Sequence, residues 1–265
     1  MKRYNLKNTD IFGIGISCGG PLDADKGVIL SPPNLIGWDN IEITSILEKR
    51  LNIPAHLQND ANACALAEWH FGAGKNTKNM VFLTFGTGLG AGLILDGKLY
   101  NGTSYMAGEI GHVRLADNGP VGYGKAGSCE GFCSGGGLAQ LGKTLVLERL
   151  QQGEKVSFCS SIEDLHTIDA KKIALAAEQG DRLALEIYSV CGSYLGRCLS
   201  IIIDLLNPEM IVIGSIYSRS EQLLKHSMEA VIEREALYLC RSKCKIVPSQ
   251  LGEKIGDYAA LSIAL

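Results

Sequence analysis

The sequence predicts an α/β protein with parallel strands, and three observations carry that expectation. Residues 11–17, 43–51, 53–57 and 61–71 alternate short apolar runs with amphipathic or alanine-rich ones, reading strand, helix, strand, helix. A second pair of strands, residues 80–85 and 91–95, flanks the glycine run Gly86-Thr87-Gly88-Leu89-Gly90. Beyond Leu138 helical periodicity dominates, with an apolar stripe through Leu183, Ile187, Val190, Tyr194, Cys198 and Ile201 that reads as core.

Taken in order, residues 1–10 are polar and read as the tail of a helix or a loop, so the chain opens in mid-fold. The strand at 11–17 ends in Cys18-Gly19-Gly20-Pro21, a turn whose glycines let a ligand approach the backbone closely. A short strand at 28–30 leads into Ser31-Pro32-Pro33-Asn34-Leu35-Ile36-Gly37-Trp38, an irregular segment of the kind that lines pockets. The strand at 53–57 runs into Gln58-Asn59-Asp60, and an alanine-rich helix follows. At or next to the N-cap, Asp60 is held ionised by exposed N–H groups and the helix dipole. An ionised carboxylate accepts a proton, and Asn59 both donates and accepts, so the pair suits one or two sugar hydroxyls. An aspartate before such a helix is also an ordinary cap, and this stretch alone leaves both readings open.

A second unit opens near Lys78, which divides the chain into 1–76 and 77–265. Its glycine run is followed by a strand, so a dinucleotide-binding reading fails. Consecutive N–H groups in such a turn form an anion nest, to which Thr84 and Thr87 add hydroxyls; a plain glycine hairpin is the other reading. Asp96-Gly97 predicts a type I′ turn into residues 98–100. Gly108-Glu109-Ile110-Gly111-His112 brings a Glu and a His close together, and residues 119–137 are glycine-rich and irregular. Helices are expected at 138–151, 170–179, 182–206, 221–236 and 256–265, with strands at 210–213 and 244–247. Asn207-Pro208 breaks the long helix, and Gly214-Ser215 starts a turn.

The 265 residues are 46% hydrophobic with 32 glycines, enough for two lobes with separate cores. A net charge of −3 without a basic cluster argues against nucleic acid or an anionic membrane, and leaves small molecules as partners. Nine cysteines without a disulfide-like spacing suggest reduced thiols and a cytoplasmic protein. No run of 18 apolar residues predicts a membrane span.

Six stretches in one order resemble the ROK family (repressor, open reading frame, kinase): Gly13-Ile14-Gly15-Ile16 with Gly19-Gly20-Pro21; Ser31-Pro32-Pro33-Asn34-Leu35 with Gly37-Trp38; Asn59-Asp60-Ala61-Asn62; residues 86–90; residues 108–112; and Asn207-Pro208-Glu209 with Ile211-Val212-Ile213-Gly214. The resemblance implies an actin-like, ribonuclease-H-like two-lobed fold and ATP-dependent phosphorylation of a hexose or N-acylhexosamine, with Mg²⁺ carried by the nucleotide. It implies Asp60 as catalytic base, with Gly20, Asn34, Asn59, Glu109, His112 and Glu130 at the sugar. Thr84, Gly86, Thr87 and Gly88 would hold phosphate and Gly214-Ser215 would edge the adenosine pocket. A homodimer is the expected assembly. The alternative is a non-catalytic sugar-sensing domain like that of ROK repressors, which carry a helix-turn-helix ahead of it.

Two departures stand out. Family members usually begin with a strand ending in Asp-x-Gly-Gly-Thr, the first phosphate loop, and the first strand here resembles a later one, so the N-terminal lobe reads as truncated. From this follow three expectations: weak sugar binding, little kinase activity, and aggregation or pairing through the edge of the strand at 11–17. The family's zinc cysteines fall on Val121, Tyr123 and Ser128, leaving His112 alone of that set. No metal is therefore expected, and packing of Tyr123 and Phe132 should hold the loop instead.

Overall fold

The computed structural model describes residues 7–265, so the helix tail or loop expected over residues 1–10 lies mostly outside them. The chain forms two units. Met1–Leu83, Ala91–Gly108 and Ser249–Leu265 make the first; Thr84–Gly90 and Glu109–Pro248 make the second.

In the first unit β1 (Ile14–Cys18), the small hairpin of β2 (Leu22–Asp23) and β3 (Val28–Ile29), α1 (Ile43–Leu51), β4 (Ala55–Asn59) and α2 (Asp60–Phe71) follow one another. β1 and β4 pair in parallel, with Ile14 opposite Ala55 and Cys18 opposite Asn59. Leu57 packs with Leu22 and Ile29, and Ile16, Ile41 and Ile43 close around them. Parallel pairing needs a crossover, and α1 supplies it, ending where Asn52 turns left-handed at φ 53° and donates its N–H to the Glu48 carbonyl.

α2 owes its position to small residues. Ala63 and Ala67 sit against Ala259 of the closing helix, which spans Ile255–Ile263. That helix also lies on β1: a Cβ at Gly15 would stand 1.8 Å from the Ala260 carbonyl oxygen, so only glycine permits the approach. Glu68, completely buried on α2, gathers three donors. Its Oε1 accepts from Ser249 Oγ (2.5 Å) and the Leu251 N–H (2.9 Å), and its Oε2 from the Ala73 N–H (2.8 Å).

β5 (Met80–Phe85) and β6 (Leu89–Leu95) are divided between the units. Within the first, β6 turns back into β7 (Lys98–Leu99), with Ile94 opposite Leu99. Asp96 and Gly97 have φ of 51° and 71°, the two positive angles that a type I′ turn requires.

The second unit continues with a hairpin of β8 (Val121–Gly122) and β9 (Lys125–Ala126), then α3 (Cys129–Phe132), α4 (Gly135–Gln151), α5 (Ala170–Glu178), α6 (Arg182–Leu206), β10 (Met210–Ile213), α7 (Ile216–Glu235), α8 (Tyr238–Arg241) and β11 (Lys245–Pro248); the closing helix is α9. β10 and β11 pair in parallel. Ser134, Asp169 and Asp181 cap α4, α5 and α6 by accepting the N–H of Gly137, Lys172 and Ala184. Capping by Ser134 starts α4 three residues before its expected beginning, drawing the glycines into the first turn. α7 is entered at Ile216, but Ser220 breaks its helical geometry at φ −123° and ψ 22°, so its uninterrupted part begins at the expected residue 221.

α6 is the core helix, long and apolar enough to cross a membrane by length and composition, yet half of its most apolar stretch is buried within the fold. Its inward face is Leu183, Ile187, Cys191, Leu195, Cys198, Leu199 and Ile202, whereas Ile201, expected in the core, is 38% exposed. The expected packing of Tyr123 is also corrected: it is 76% exposed on the turn between β8 and β9. Phe132 does hold its segment, stacked on Tyr194 with ring centroids 3.4 Å apart. All nine cysteines are free thiols.

Candidate functional site

The first unit carries Gly20, Asn34, Asn59 and Asp60. At the end of β4 the residue that caps α2 is Asn59. Its Oδ1 accepts from the N–H groups of Ala61 (2.9 Å) and Asn62 (3.3 Å). Capping is therefore done one residue before Asp60, whose exposed carboxylate accepts, among the described residues, only from its neighbour, the Ala61 N–H, at 2.8 Å. The ordinary-cap reading of Asp60 is set aside by this geometry. Asn59 Nδ2 points towards Gly20, where a Cβ would stand 3.6 Å from it. Asn34 lies exposed in the turn that follows β3.

A buried amide network fixes this junction from below. Gln58 Oε1 accepts from the Asn59 N–H (2.9 Å) and from Asn62 Nδ2 (3.2 Å), and Asn62 Nδ2 also reaches Asn101 Oδ1 (3.1 Å). The charge of Asp60 is felt nearby. The Cys64 thiol is pushed up to about 12, first by burial and then by Asp60 and Glu68; the Cys18 thiol is raised by burial and by Asp60. Both thiols stay protonated at neutral pH, so neither competes as a nucleophile at this junction.

The second unit carries Thr84, Gly86, Thr87, Gly88, Glu109, His112, Glu130, Gly214 and Ser215. Its glycine turn is pinned on three sides. Gly86 donates to the Gly88 carbonyl (3.0 Å), Gly135 to the Gly86 carbonyl (2.8 Å), and Gly136 to the Thr87 carbonyl (3.4 Å). The turn thus gives its carbonyls to the N-terminus of α4, while the N–H groups of Thr87 and Gly88 have no partner among the described residues. Thr84 is engaged inside the turn, where its Oγ1 accepts the Gly90 N–H at 3.1 Å. Glu130 Oε2 accepts the Leu89 N–H at 3.0 Å, and a Cβ at Gly88 would stand 2.6 Å from that oxygen, so a side chain there would push the carboxylate off the turn. One oxygen of Glu130 thus shapes the turn.

Glu109 heads the short turn Ile110–His112. His112 is exposed, its ring edge-on to Tyr123 at 6.3 Å and its carbonyl accepting Lys125 Nζ at 2.8 Å. Cys129 on α3 and Cys133 just after it are fully buried, and among the described residues no group of three or more His, Cys, Asp or Glu could hold a metal ion.

Beside the turn lies a cleft of about 790 Å³ lined by Gly86, Thr87, Gly135 and Gly136 and by parts of α5, α6 and α7, with Leu175, Tyr188 and Ile216 among its walls. Ser215 stands on its rim with φ 54° and ψ −113°, a conformation that favours glycine. Ser215→Gly is expected to stabilise the fold by about 1 kcal/mol, read as a higher urea midpoint; an unchanged or lower midpoint would show that the serine bears no strain. Motif reading missed the walls Asp169, Lys171, Tyr188 and Arg219, which come from three helices and share no local pattern.

A sequence model of the ROK family matches residues 1–265. The chain belongs to the ROK family. Among curated ROK relatives, the glucokinase of Halalkalibacterium halodurans is 33% identical over 240 residues, covering 89% of this chain and 71% of that one. The xylose repressor of Caldicellulosiruptor bescii is 32% identical over 245 residues, covering 92% of this chain and 60% of the repressor. A crystal structure of a ROK glucokinase from Streptomyces griseus in complex with glucose and AMPPNP superposes with a TM-score of 0.77 at 28% identity, covering 96% of this chain and 80% of that one. The fold is accordingly the actin-like α/β fold of ROK sugar kinases, as the sequence predicts.

Proposed function

We propose that this ROK protein is an ATP-dependent sugar kinase that phosphorylates a hydroxyl of a hexose or N-acylhexosamine. The observation that carries the reading is Asn59 taking over the cap of α2, which leaves the Asp60 carboxylate exposed and unoccupied by donors from the helix beyond its own neighbour. In the proposed step Asp60 orients the acceptor hydroxyl and takes its proton as the oxygen attacks the γ-phosphorus, and ADP leaves. Asn59, through Nδ2, and Gly20, Asn34, Glu109, His112 and the second oxygen of Glu130 are proposed to contact the sugar.

The nucleotide is assigned to the second unit. The unpartnered Thr87 and Gly88 amides and the Thr87 hydroxyl suit phosphate oxygens. The cleft beyond them, edged by Ser215, which follows Gly214 in the chain, has the size and apolar walls of a nucleoside pocket. Among the described residues no cluster of three acidic, histidine or cysteine ligands fits Mg²⁺, so the ion is placed on the nucleotide's phosphates and no step is derived through it.

The glucokinase and the repressor match this chain at nearly the same identity, 33% and 32%, which gives a second reading, sugar sensing without catalysis. A coupled ADP-release assay with hexoses and N-acylhexosamines separates them. Sugar-dependent ADP release above the no-sugar background is expected of a kinase. Saturable sugar binding without ADP release would overturn the catalytic reading in favour of the sensor.

A further inference from the structure

Residues 101–107 form a loop of the first unit to which no sugar or nucleotide contact has been assigned, and its hydrogen bonds show where it runs. The Ala107 N–H closes its base by donating to the Asn101 carbonyl at 3.1 Å, and just beyond it the Gly108 carbonyl accepts the Ala91 N–H of β6 at 3.0 Å. Asn101 also fastens the loop to the buried amides. Its Oδ1 accepts from Asn62 Nδ2 at 3.1 Å and from Gln58 Nε2 at 3.4 Å. Farther along, the Tyr105 hydroxyl donates to Asp25 Oδ2, on the turn between β2 and β3. The Tyr105 phenol is pushed up to about 12, first by that bond, so it stays a donor at neutral pH. Tyr105 makes this contact from φ 58°, a backbone region that bulky side chains rarely occupy. Such a conformation persists when a contact holds it, and Asp25 supplies one.

The two fastenings flank the ends of the paired strands. β1 and β4 are parallel with Cys18 opposite Asn59, so both strands stop at the same level. Asn101 is tied to the β4 side through Gln58 and Asn62, and the hairpin that carries Asp25 continues from β1 through Gly19-Gly20-Pro21. A loop anchored at both places spans the carboxyl ends of a parallel pair, which is where open α/β sheets bind their ligands. Gly20, Asn59 and Asp60 stand at those same ends. We propose that residues 101–107 are a strap across the sugar site, and that Asn101 and Tyr105 are positioning residues that keep it fastened. Between and beside the fastenings Thr103, Ser104 and Met106 are exposed, two hydroxyls and a thioether available to a sugar beneath. A strap that is open part of the time lowers apparent sugar affinity by the fraction fastened, and leaves the nucleotide contacts of the second unit as they are. This role rests on reading the Asn59-Asp60 junction as the sugar site, and it is the same for a kinase and for a sensor.

Titration calorimetry on the full chain with glucose, mannose, N-acetylglucosamine and N-acetylmannosamine, and with AMPPNP as control, tests the strap without reading catalysis. A failure of the kinase assignment shows in ADP release instead, so the two are told apart. Tyr105→Phe removes the hydroxyl and keeps the ring; it should weaken the affinity for the sugar that binds by about 5–20-fold, with AMPPNP affinity within about 2-fold and Tm within about 2 °C of wild type. Asp25→Asn still offers Tyr105 an acceptor and should stay within about 3-fold of wild type. Asn101→Ala frees the other fastening and should weaken sugar binding in the same way. Chymotrypsin cuts after both Tyr and Phe, so cleavage after residue 105 reads the strap directly: it should be about 10-fold faster in Tyr105→Phe, and saturating sugar should slow it in the wild type. A wild type that binds none of the four sugars overturns the strap. So does a Tyr105→Phe variant with unchanged sugar affinity, with unchanged cleavage, or with sugar and AMPPNP affinities falling together.

Discussion

Asp60→Asn is expected to leave sugar binding within a few-fold of wild type while turnover falls by about 10² or more. The two side chains have nearly the same shape, and the cap of α2 is supplied by Asn59, so the substitution leaves the turn intact. What is lost is the negative charge and the capacity to take a proton. A residue needed only for structure would instead lower thermal stability and sugar affinity together. The measurements are kcat by ADP release and sugar affinity by titration calorimetry, with a melting curve beside them. Turnover near that of the wild type would remove Asp60 from the mechanism, and a parallel loss of affinity would make it a contact and not a base.

How much of this could be read from the sequence follows from the range of the interactions involved. The turn at Asp96-Gly97 was legible because its chemistry is local: two residues able to take positive φ between two apolar runs. The strand-to-helix junction at Asn59-Asp60 was legible as a place, but which of the two residues caps the helix was not, since either side chain suits the role and the register of one turn decides. Ile201 was placed in the core because an apolar stripe shows that a face exists without fixing where it ends; Leu195, Leu199 and Ile202 took the inward positions. The glycines before Leu138 argued against a helix on propensity, and the Ser134 cap together with the carbonyls of residues 86 and 87 outweighed that cost. Long-range partners left no trace at all. Nothing near Glu68 in sequence shows that its donors include residues 249 and 251.

That contact sets the largest expected change in stability. Glu68→Ala should destabilise the protein by about 3–5 kcal/mol, the range for removing one member of a buried, charge-assisted set. The carboxylate is fully buried and serves the Ala73 N–H, the Ser249 hydroxyl and the Leu251 N–H, so its loss leaves three donors on half-buried residues without their acceptor and a hole where the side chain stood. Glu68→Gln keeps the volume but turns an amide N–H₂ towards groups that are themselves donors, and should cost less than the alanine variant while still destabilising. For a chain of this length about 3 kcal/mol corresponds to a fall in Tm of roughly 6–12 °C. The loss has a location as well as a size. Glu68 joins α2 to the segment that leads into α9, so limited proteolysis of Glu68→Ala should open the Ser249–Leu265 segment before the rest of the chain. A Tm within about 2 °C of wild type, or cleavage that starts elsewhere, would mean that the alanines of α2 and α9 hold the helix in place without this clamp.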